Sequence, residues 1–230
     1  VMYGADAVYC ALPRFGMRAA PVNLTIGELH DGCIFAHARG KKVYLTLNNL
    51  PTNDELSELP QYIKDAAEAG VDAFIIADLG VLSLAKQYAP DVDVHFSTQA
   101  GITNYAAATM AYNLGAKRVV LARELTLEQV AQIHRQIVEN DIRGPRGELV
   151  GIEMFAHGAL CMSISGKCYL SLYETNCSAN RGACRQLCRR KYTVTDTETG
   201  AALDIDGRYV LSPKDLCTVC LLYTSPSPRD

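Results

Sequence analysis

Short apolar runs alternate with amphipathic segments along most of this chain. The short runs are rich in Val, Ile, Tyr and Phe, which is typical of buried strands. The longer segments repeat apolar positions every three or four residues, which is typical of helices packed on one side. The predicted strands cover residues 5–9, 42–48, 72–77, 92–98, 118–122, 151–155 and 209–212, and the predicted helices cover 26–39, 53–69, 80–88, 104–114 and 126–137.

The repeated order of strand and helix predicts right-handed βαβ units around a parallel sheet. The helices are regular, and no strand is followed by the Gly-x-Gly-x-x-Gly turn of a nucleotide-binding sheet. We therefore predict an α/β fold of the TIM-like (β/α) barrel class. Asn53 or Asp54 and, later, Thr126 are the expected helix N-caps, because their side chains accept hydrogen bonds from free first-turn amides.

The alternation stops at residues 158–192, here called the Cys-rich loop, which we predict to be a long functional loop after a strand. A polar segment at 193–207 follows, and its Asp206-Gly207 pair predicts a hairpin turn. We expect one barrel domain over residues 1–219, incomplete at both ends. Residues 220–230 resemble a translated sequencing adapter, so we expect a non-native tail that packs against nothing.

The composition agrees with one globular domain that has a sizeable core, since 49% of the residues are hydrophobic and 20% charged. The net charge of −3 excludes a generally basic nucleic-acid coat but leaves room for a local basic patch. Nine cysteines without a signal peptide do not resemble a secreted disulfide framework. We expect a cytoplasmic location and no membrane contact, because no apolar run is long enough to span a bilayer.

Four cysteines of the Cys-rich loop have the spacing Cys-x6-Cys followed by Cys-x3-Cys: Cys161, Cys168, Cys184 and Cys188. Glycines accompany them, and glycine allows the backbone to approach a bulky ligand closely. Four thiolates that converge on one point make a metal or iron–sulfur site. The alternative is a set of unrelated buried thiols. Cys177 is then a spare thiol, and Cys10, Cys33 and Cys217 are expected to be core or surface residues.

The same stretch resembles the signature of peptidase family U32, the collagenase-like proteins. The resemblance extends over residues 1 to about 219, through the segments 3–9, 46–48, 95–99 and 121–124. The signature residues are Glu153, Phe155, Gly158, Ala159, Leu160, Cys161, Gly166, Cys168, Leu170 and Ser171. This family resemblance implies a TIM-like barrel and, from its RNA and ubiquinone hydroxylation members, a 4Fe-4S cluster. It also implies prephenate as a co-substrate and the iron–sulfur assembly machinery as a partner.

Polar side chains at the ends of the predicted strands are the candidate catalytic residues, because barrel enzymes place their chemistry there. On the strand at 92–98, His95 and Ser97 share one face with Gln99 beyond it, and the apolar Val94 and Phe96 share the other. The apolar face must meet helices, so we expect the polar face to line the barrel interior. The alternative for each residue is a satisfied internal hydrogen-bond network. The candidate catalytic set is Glu153, His95, Ser97, Gln99, Asn48 and His157.

Five cations lie close together at the end of the Cys-rich loop: Arg181, Arg185, Arg189, Arg190 and Lys191. No acidic residue lies between Thr175 and Thr195. Such a patch is suited to the phosphates of tRNA or rRNA. It is equally suited to offset the negative charge of a cluster held by four thiolates.

The leading hypothesis is an RNA hydroxylase with an iron–sulfur cluster, which installs a 5-hydroxyl group on a pyrimidine of tRNA or rRNA, as the family resemblance implies. One alternative is a collagenase-like peptidase, although the sequence contains neither Gly-x-Ser-x-Gly nor His-Glu-x-x-His. Two others are a ubiquinone-type hydroxylation protein and a zinc-stabilised RNA-binding module without catalysis. The RNA target, the oxygen donor and the oligomeric state are not encoded in any recognisable pattern.

Overall fold

A computed structural model describes residues 1–17, 23–144, 147–203, 210–213 and 215–217 of the chain. Six parallel strands form one sheet in the order in which they occur in the sequence. They are β1 (Ala7–Cys10), β2 (Lys42–Leu47), β3 (Ala73–Ile76), β4 (Asp93–Phe96), β5 (Arg118–Val120) and β6 (Gly151–Glu153). Consecutive order is typical of a barrel wall, since a nucleotide-binding sheet reverses its order near the middle. The sheet is a curled half-barrel, and the α/β part of the predicted fold is confirmed.

Helices connect successive strands and pack against one face of the sheet. They are α1 (Ile26–His37), α2 (Asn53–Leu56), α3 (Leu59–Glu68), α4 (Leu79–Tyr88), α5 (Tyr105–Asn113) and α6 (Leu127–Glu139). Within the parts of the chain that the structure describes, none of the helices has the length and apolar character of a membrane span.

Alternation along the strands decides which side chains meet these helices. Leu45, Phe74 and Phe96 point to the helical side, where they are at most 4% exposed. Leu29 of α1 and Ile63 of α3 are fully buried in the same core. Removing one such side chain from water contributes about 1.5–3 kcal/mol to the free energy of unfolding. This apolar layer therefore holds the half-barrel together.

The segment predicted as a single helix at 53–69 is two helices, and its predicted caps are wrong. Thr52 is the N-cap of α2, and its amide donates to Glu55 Oε2 at 2.7 Å. Pro60 occupies the first turn of α3. Proline has no amide proton, and its ring clashes with the carbonyl four residues earlier, so a continuous helix cannot pass through it. The predicted cap of α6 is confirmed, since Gln129 N donates to Thr126 Oγ1 at 3.2 Å.

After β6 the chain forms several short elements. They are β7 (His157–Gly158), α7 (Leu170–Thr175), β8 (Val194–Thr195), β9 (Ala202–Leu203) and β10 (Leu216–Cys217). β8 and β9 are antiparallel, as the predicted hairpin requires, while Asp206-Gly207 lies outside the described residues. The strand predicted at 209–212 is wrong for residues 210–212, since 210 and 211 form a turn and 212 has no regular secondary structure. Residue 209 lies outside the described residues. The predicted tail at 220–230 also lies outside the described residues.

Candidate functional site

The Cys-rich loop lies across the C-terminal ends of the sheet strands. Beyond β2, Leu50 N donates to the Asn180 carbonyl at 3.3 Å, and Arg181 donates to the Leu50 carbonyl at 3.2 Å. Arg181 also forms an ion pair of 2.8 Å with Glu55, whose carboxylate accepts from the amide of Thr52, the N-cap of α2. These bonds fix one side of the loop over the end of β2.

The other side of the loop is fixed beyond β4 and β5. Gly166 has φ +73°, a conformation that favours glycine, and a Cβ on it would lie 2.4 Å from Gln99 Nε2, so a larger residue would also displace the Gln99 side chain. Ser165 is buried with φ +46°, which a residue other than glycine rarely adopts. Its amide donates to Glu124 Oε1 and its hydroxyl to Glu124 Oε2 at 3.4 Å, and these bonds offset the strain. The Cys-rich loop is therefore held at the end of the sheet where barrel enzymes place their functional loops.

Cys188 lies near enough to the other three candidate ligand cysteines for them to affect its pKa. Burial and then the Cys161 thiol raise the pKa of Cys188, Arg189 lowers it, and Cys184 and Cys168 raise it further. None of the four forms a disulfide; Cys161 and Cys184 are exposed, and Cys168 and Cys188 are half-buried. Over the described residues, no three His, Cys, Asp or Glu side chains are spaced closely enough to hold a metal ion. The four sulfurs therefore do not converge on one point in the described structure. Four free thiols on one loop have the donor chemistry of an iron–sulfur site, and the cluster stays a prediction.

A cavity of about 110 Å³ lies beside Cys161. Its walls include Ser163 and Ser165 of the loop together with Arg123 and Glu124, which follow β5. The Arg123 guanidinium lies 4.4 Å from the centre of the Phe155 ring. A second cavity of about 130 Å³, beside Lys117, lies at the N-terminal ends of the strands and away from the loop. The chemistry of barrels is found at the C-terminal ends, so the cavity beside Cys161 is the relevant one.

Three of the candidate catalytic residues form one hydrogen-bonded network at the C-terminal end of the sheet. Asn48 Nδ2 donates to Ser97 Oγ at 3.2 Å, and Gln99 N donates to the same oxygen at 3.2 Å. Asn48 Oδ1 accepts from Met17 N at 3.2 Å. These bonds satisfy the polar atoms of a crowded region, so the network positions the strand ends beneath the Cys-rich loop.

His95 lies further down the same face of the sheet and is 4% exposed. Its ring meets Tyr44 edge to face, with the centroids 4.6 Å apart. Burial, followed by the positive charge of Arg118, lowers the pKa of His95 to about 4. His95 is therefore neutral at pH 7, and its imidazole is uncharged at the start of any proton transfer in which it takes part.

Glu153 lies on β6 and forms an ion pair of 3.3 Å with Arg118 of β5. Its side chain is 45% exposed on the face of the sheet that no helix covers. Arg118 and Tyr44 lie on the same face but are not among the residues predicted from the sequence, although both alternate with apolar residues that face the helices. That alternation is the signal that would have found them.

His157 does not lie on the half-barrel. It is exposed on β7, directly opposite Cys217 of β10 in an antiparallel pair. Cys217 is exposed as well, while Cys33 is buried in the core, as expected for core or surface thiols. The pairing of β7 with β10 brings Cys217 beside the entry to the Cys-rich loop, a proximity that sequence spacing could not show.

The five clustered cations have different surroundings. Arg181 forms the bonds to Leu50 and Glu55, and Arg189 donates to the Leu160 carbonyl at 2.9 Å and lies 3.7 Å from Asp215. Arg185 donates to Cys177 Sγ at 3.3 Å, and this bond lowers the pKa of the Cys177 thiol. Arg185, Arg190 and Lys191 are exposed. Arg181 and Arg189 therefore hold the loop in place, and Arg185 and Arg190 are the better candidates for contact with phosphates.

Comparison with known proteins gives one consistent family. The model of peptidase family U32 matches residues 1–224. The chain is 46% identical over 217 residues to a collagenase from Porphyromonas gingivalis, covering 94% of the chain and 52% of that protein. It is 37% identical over 194 residues to tRNA hydroxylation protein P from Escherichia coli, covering 84% and 41%. It is 38% identical over 215 residues to the 23S rRNA 5-hydroxycytidine C2501 synthase of Escherichia coli, covering 94% and 30%.

The chain thus spans about half the length, or less, of these relatives. Among solved structures, the U32 peptidase Mk0906 superimposes with a TM-score of 0.52 over 67% of this chain and 62% of that one. The two sequences are 19% identical in this comparison, so the similarity concerns the fold.

Proposed function

Because this chain belongs to peptidase family U32, we propose that it is part of an RNA hydroxylation protein that adds a 5-hydroxyl group to a pyrimidine of tRNA or rRNA. The observation that carries the proposal is that four free cysteines belong to one loop, which hydrogen bonds hold over the C-terminal ends of the strands. Relatives named for tRNA and 23S rRNA hydroxylation, at 37% and 38% identity, support the choice of RNA as substrate.

In this proposal the four thiolates of Cys161, Cys168, Cys184 and Cys188 hold a 4Fe-4S cluster. When bound, such a cluster supplies one-electron redox chemistry beside a small cavity. The cavity next to Cys161 is lined by Ser163 and Arg123, whose hydroxyl and guanidinium groups would be available to a bound group. A cavity of about 110 Å³ admits a flipped-out base only in part, so the base enters from the open side of the half-barrel.

The candidate catalytic residues have distinct roles here. Asn48, Ser97 and Gln99 hold the strand ends in register under the loop, as their mutual hydrogen bonds support. Neutral His95 and the Arg118–Glu153 pair form the polar floor, where they orient a polar substrate such as prephenate or a nucleobase. His157, exposed on β7, is assigned no catalytic role.

The test expresses the protein from its complete gene in an Escherichia coli strain that lacks tRNA hydroxylation protein P and the 23S rRNA 5-hydroxycytidine C2501 synthase. Digested tRNA and rRNA are analysed by mass spectrometry for 5-hydroxylated pyrimidine nucleosides. The wild type should restore one of them. Cys161→Ser or Cys184→Ser should abolish it and remove most of the iron from protein purified without oxygen. Cys10→Ser is the matched control, since a hydroxyl preserves the contact with the Tyr44 carbonyl.

A collagenase-like peptidase is the second candidate, and the 46% identity to the Porphyromonas gingivalis collagenase favours it. A peptidase needs no cluster. If gelatin is cleaved after all four cysteines are replaced, and the nucleosides do not change in the complemented strain, the peptidase is the correct function and the hydroxylase proposal is wrong.

A further inference from the structure

Two tyrosines of the Cys-rich loop are strongly exposed, Tyr169 at 74% and Tyr173 at 82%. Tyr169 is the N-cap residue of α7, and Tyr173 N donates to the Tyr169 carbonyl at 2.9 Å. Residues four positions apart lie on the same side of a helix. The two rings therefore share one exposed surface, although aromatic rings are usually at least partly withdrawn from water.

A cation is anchored to the same helix. Arg185 N donates to the hydroxyl of Ser171, which is 2% exposed, at 3.2 Å. The Arg185 guanidinium donates to Cys177 Sγ, just beyond the C-terminus of α7. The backbone amide and the guanidinium of Arg185 are thus both bonded to the segment that carries Tyr169 and Tyr173.

The loop that carries these rings has a strongly positive composition. The Cys-rich loop contains six Lys and Arg residues and a single acidic residue, Glu174, in a chain whose net charge is −3. The loop is therefore a cationic region on an acidic protein, and it attracts polyanions rather than protein surfaces of average composition.

We propose that Tyr169 and Tyr173 form a stacking platform for the bases of single-stranded RNA, with Arg185 contacting the phosphate backbone. This inference rests on the proposed function and adds the way in which the substrate is held. Exposed aromatic rings beside cations bind single strands, because every base offers a flat face and every nucleotide carries a charge. In a duplex the base faces are already stacked on each other, so the platform selects unpaired regions such as loops.

The test measures binding of the full-length protein to a fluorescent 15-nucleotide oligouridylate by anisotropy, with a 15-base-pair RNA duplex as the competing probe. The double variant Tyr169→Ala, Tyr173→Ala should bind the oligouridylate at least about tenfold more weakly, since stacking on each ring contributes substantially. Tyr169→Phe with Tyr173→Phe should retain most of the affinity, because the rings remain. Tyr105→Ala, at a tyrosine of α5 that is 41% exposed, is the matched control and should change nothing.

The salt dependence separates stacking from charge. The tyrosine variants should leave the slope of log affinity against log salt unchanged, whereas Arg185→Ala should reduce it by about 0.7, the value for one phosphate contact on a single strand.

The outcomes separate this inference from the function on which it rests. If the wild type does not bind the oligouridylate and forms no hydroxylated nucleoside, the proposed function is wrong. If the wild type binds and modifies RNA but the double alanine variant binds equally well, only the platform is wrong. The platform is also overturned if that variant changes the oligomeric state on size exclusion while RNA affinity is kept, which would identify a protein interface.

Discussion

The half-barrel and the Cys-rich loop keep their shapes by different means. In the half-barrel, fully buried side chains such as Leu45 and Phe74 fill the space between the sheet and its helices. In the loop, Cys161, Cys184 and Tyr173 are exposed, and individual bonds such as Arg181–Glu55 and Ser165–Glu124 set the backbone. Apolar packing tolerates small changes at many positions, whereas a shape set by a few polar bonds depends on each of them.

This contrast matters for the chemistry. A rigid apolar layer keeps the strand ends at fixed positions, so the polar side chains on them are preorganised. The loop above them exposes thiols that a metal cluster needs, and exposed thiols contribute little to folding by themselves. The three predictions below test this division of roles.

The largest effect is expected in the apolar layer. Phe74→Ala removes a fully buried ring and should lower the free energy of unfolding by about 3–5 kcal/mol, measured by urea titration with circular dichroism. Met162→Ala, at a loop residue that is 54% exposed, should change it by less than about 0.5 kcal/mol. If the two variants are equally destabilised, the loop is packed as tightly as the sheet and the contrast is wrong.

The second effect concerns the buried His95 and the pH. Its pKa is about 4 in the folded protein and about 6.5 when unfolded, so between these values only the unfolded chain takes up the proton. Stability should therefore be complete above pH 6.5 and fall by up to about 3 kcal/mol as the pH drops to 4. Arg118, Lys117 and Lys42 oppose protonation, and Asp93 favours it. In His95→Asn this part of the pH dependence should vanish. If the free energy of unfolding, measured by urea titration, falls equally with pH in the wild type and the variant, the prediction is wrong.

The smallest global effect is expected at the bond that fixes the loop over β2. Arg181→Ala should lower the free energy of unfolding by only about 0.5 kcal/mol, because the ion pair with Glu55 is partly exposed and screened. Amide hydrogen exchange in residues 161–192 should nevertheless accelerate clearly, since local opening becomes easier. Arg190→Ala, at an exposed cation of the same loop, is the control. Exchange that is unchanged in Arg181→Ala would show that this bond does not hold the loop.

The half-barrel was predictable because alternation along β2 to β5 directly encodes which side chains meet the helices. The break between α2 and α3 could also have been predicted from Pro60. A single helix was predicted instead, because the helical pattern of apolar residues continues on both sides of the proline. The candidate ligands on the Cys-rich loop followed from spacing and from the family resemblance. The partners of Arg181 and Arg189 could not be predicted, because Glu55 and Asp215 are fixed only once the loop has folded back. The same holds for Cys217, which reaches β7 through a pairing of two-residue strands.

The bonds between Arg181 and the region after β2 also constrain the order of folding. The bonded residues Arg181 and Glu55 are 126 positions apart in the sequence. Contacts of this range form late, because the entropy lost in closing so long a segment must first be offset by the packing of everything between them. We therefore expect the half-barrel to assemble before the Cys-rich loop closes over its end. Under the proposed function, iron delivery would follow this closure, and the delivery protein would meet a folded half-barrel with exposed thiols above it.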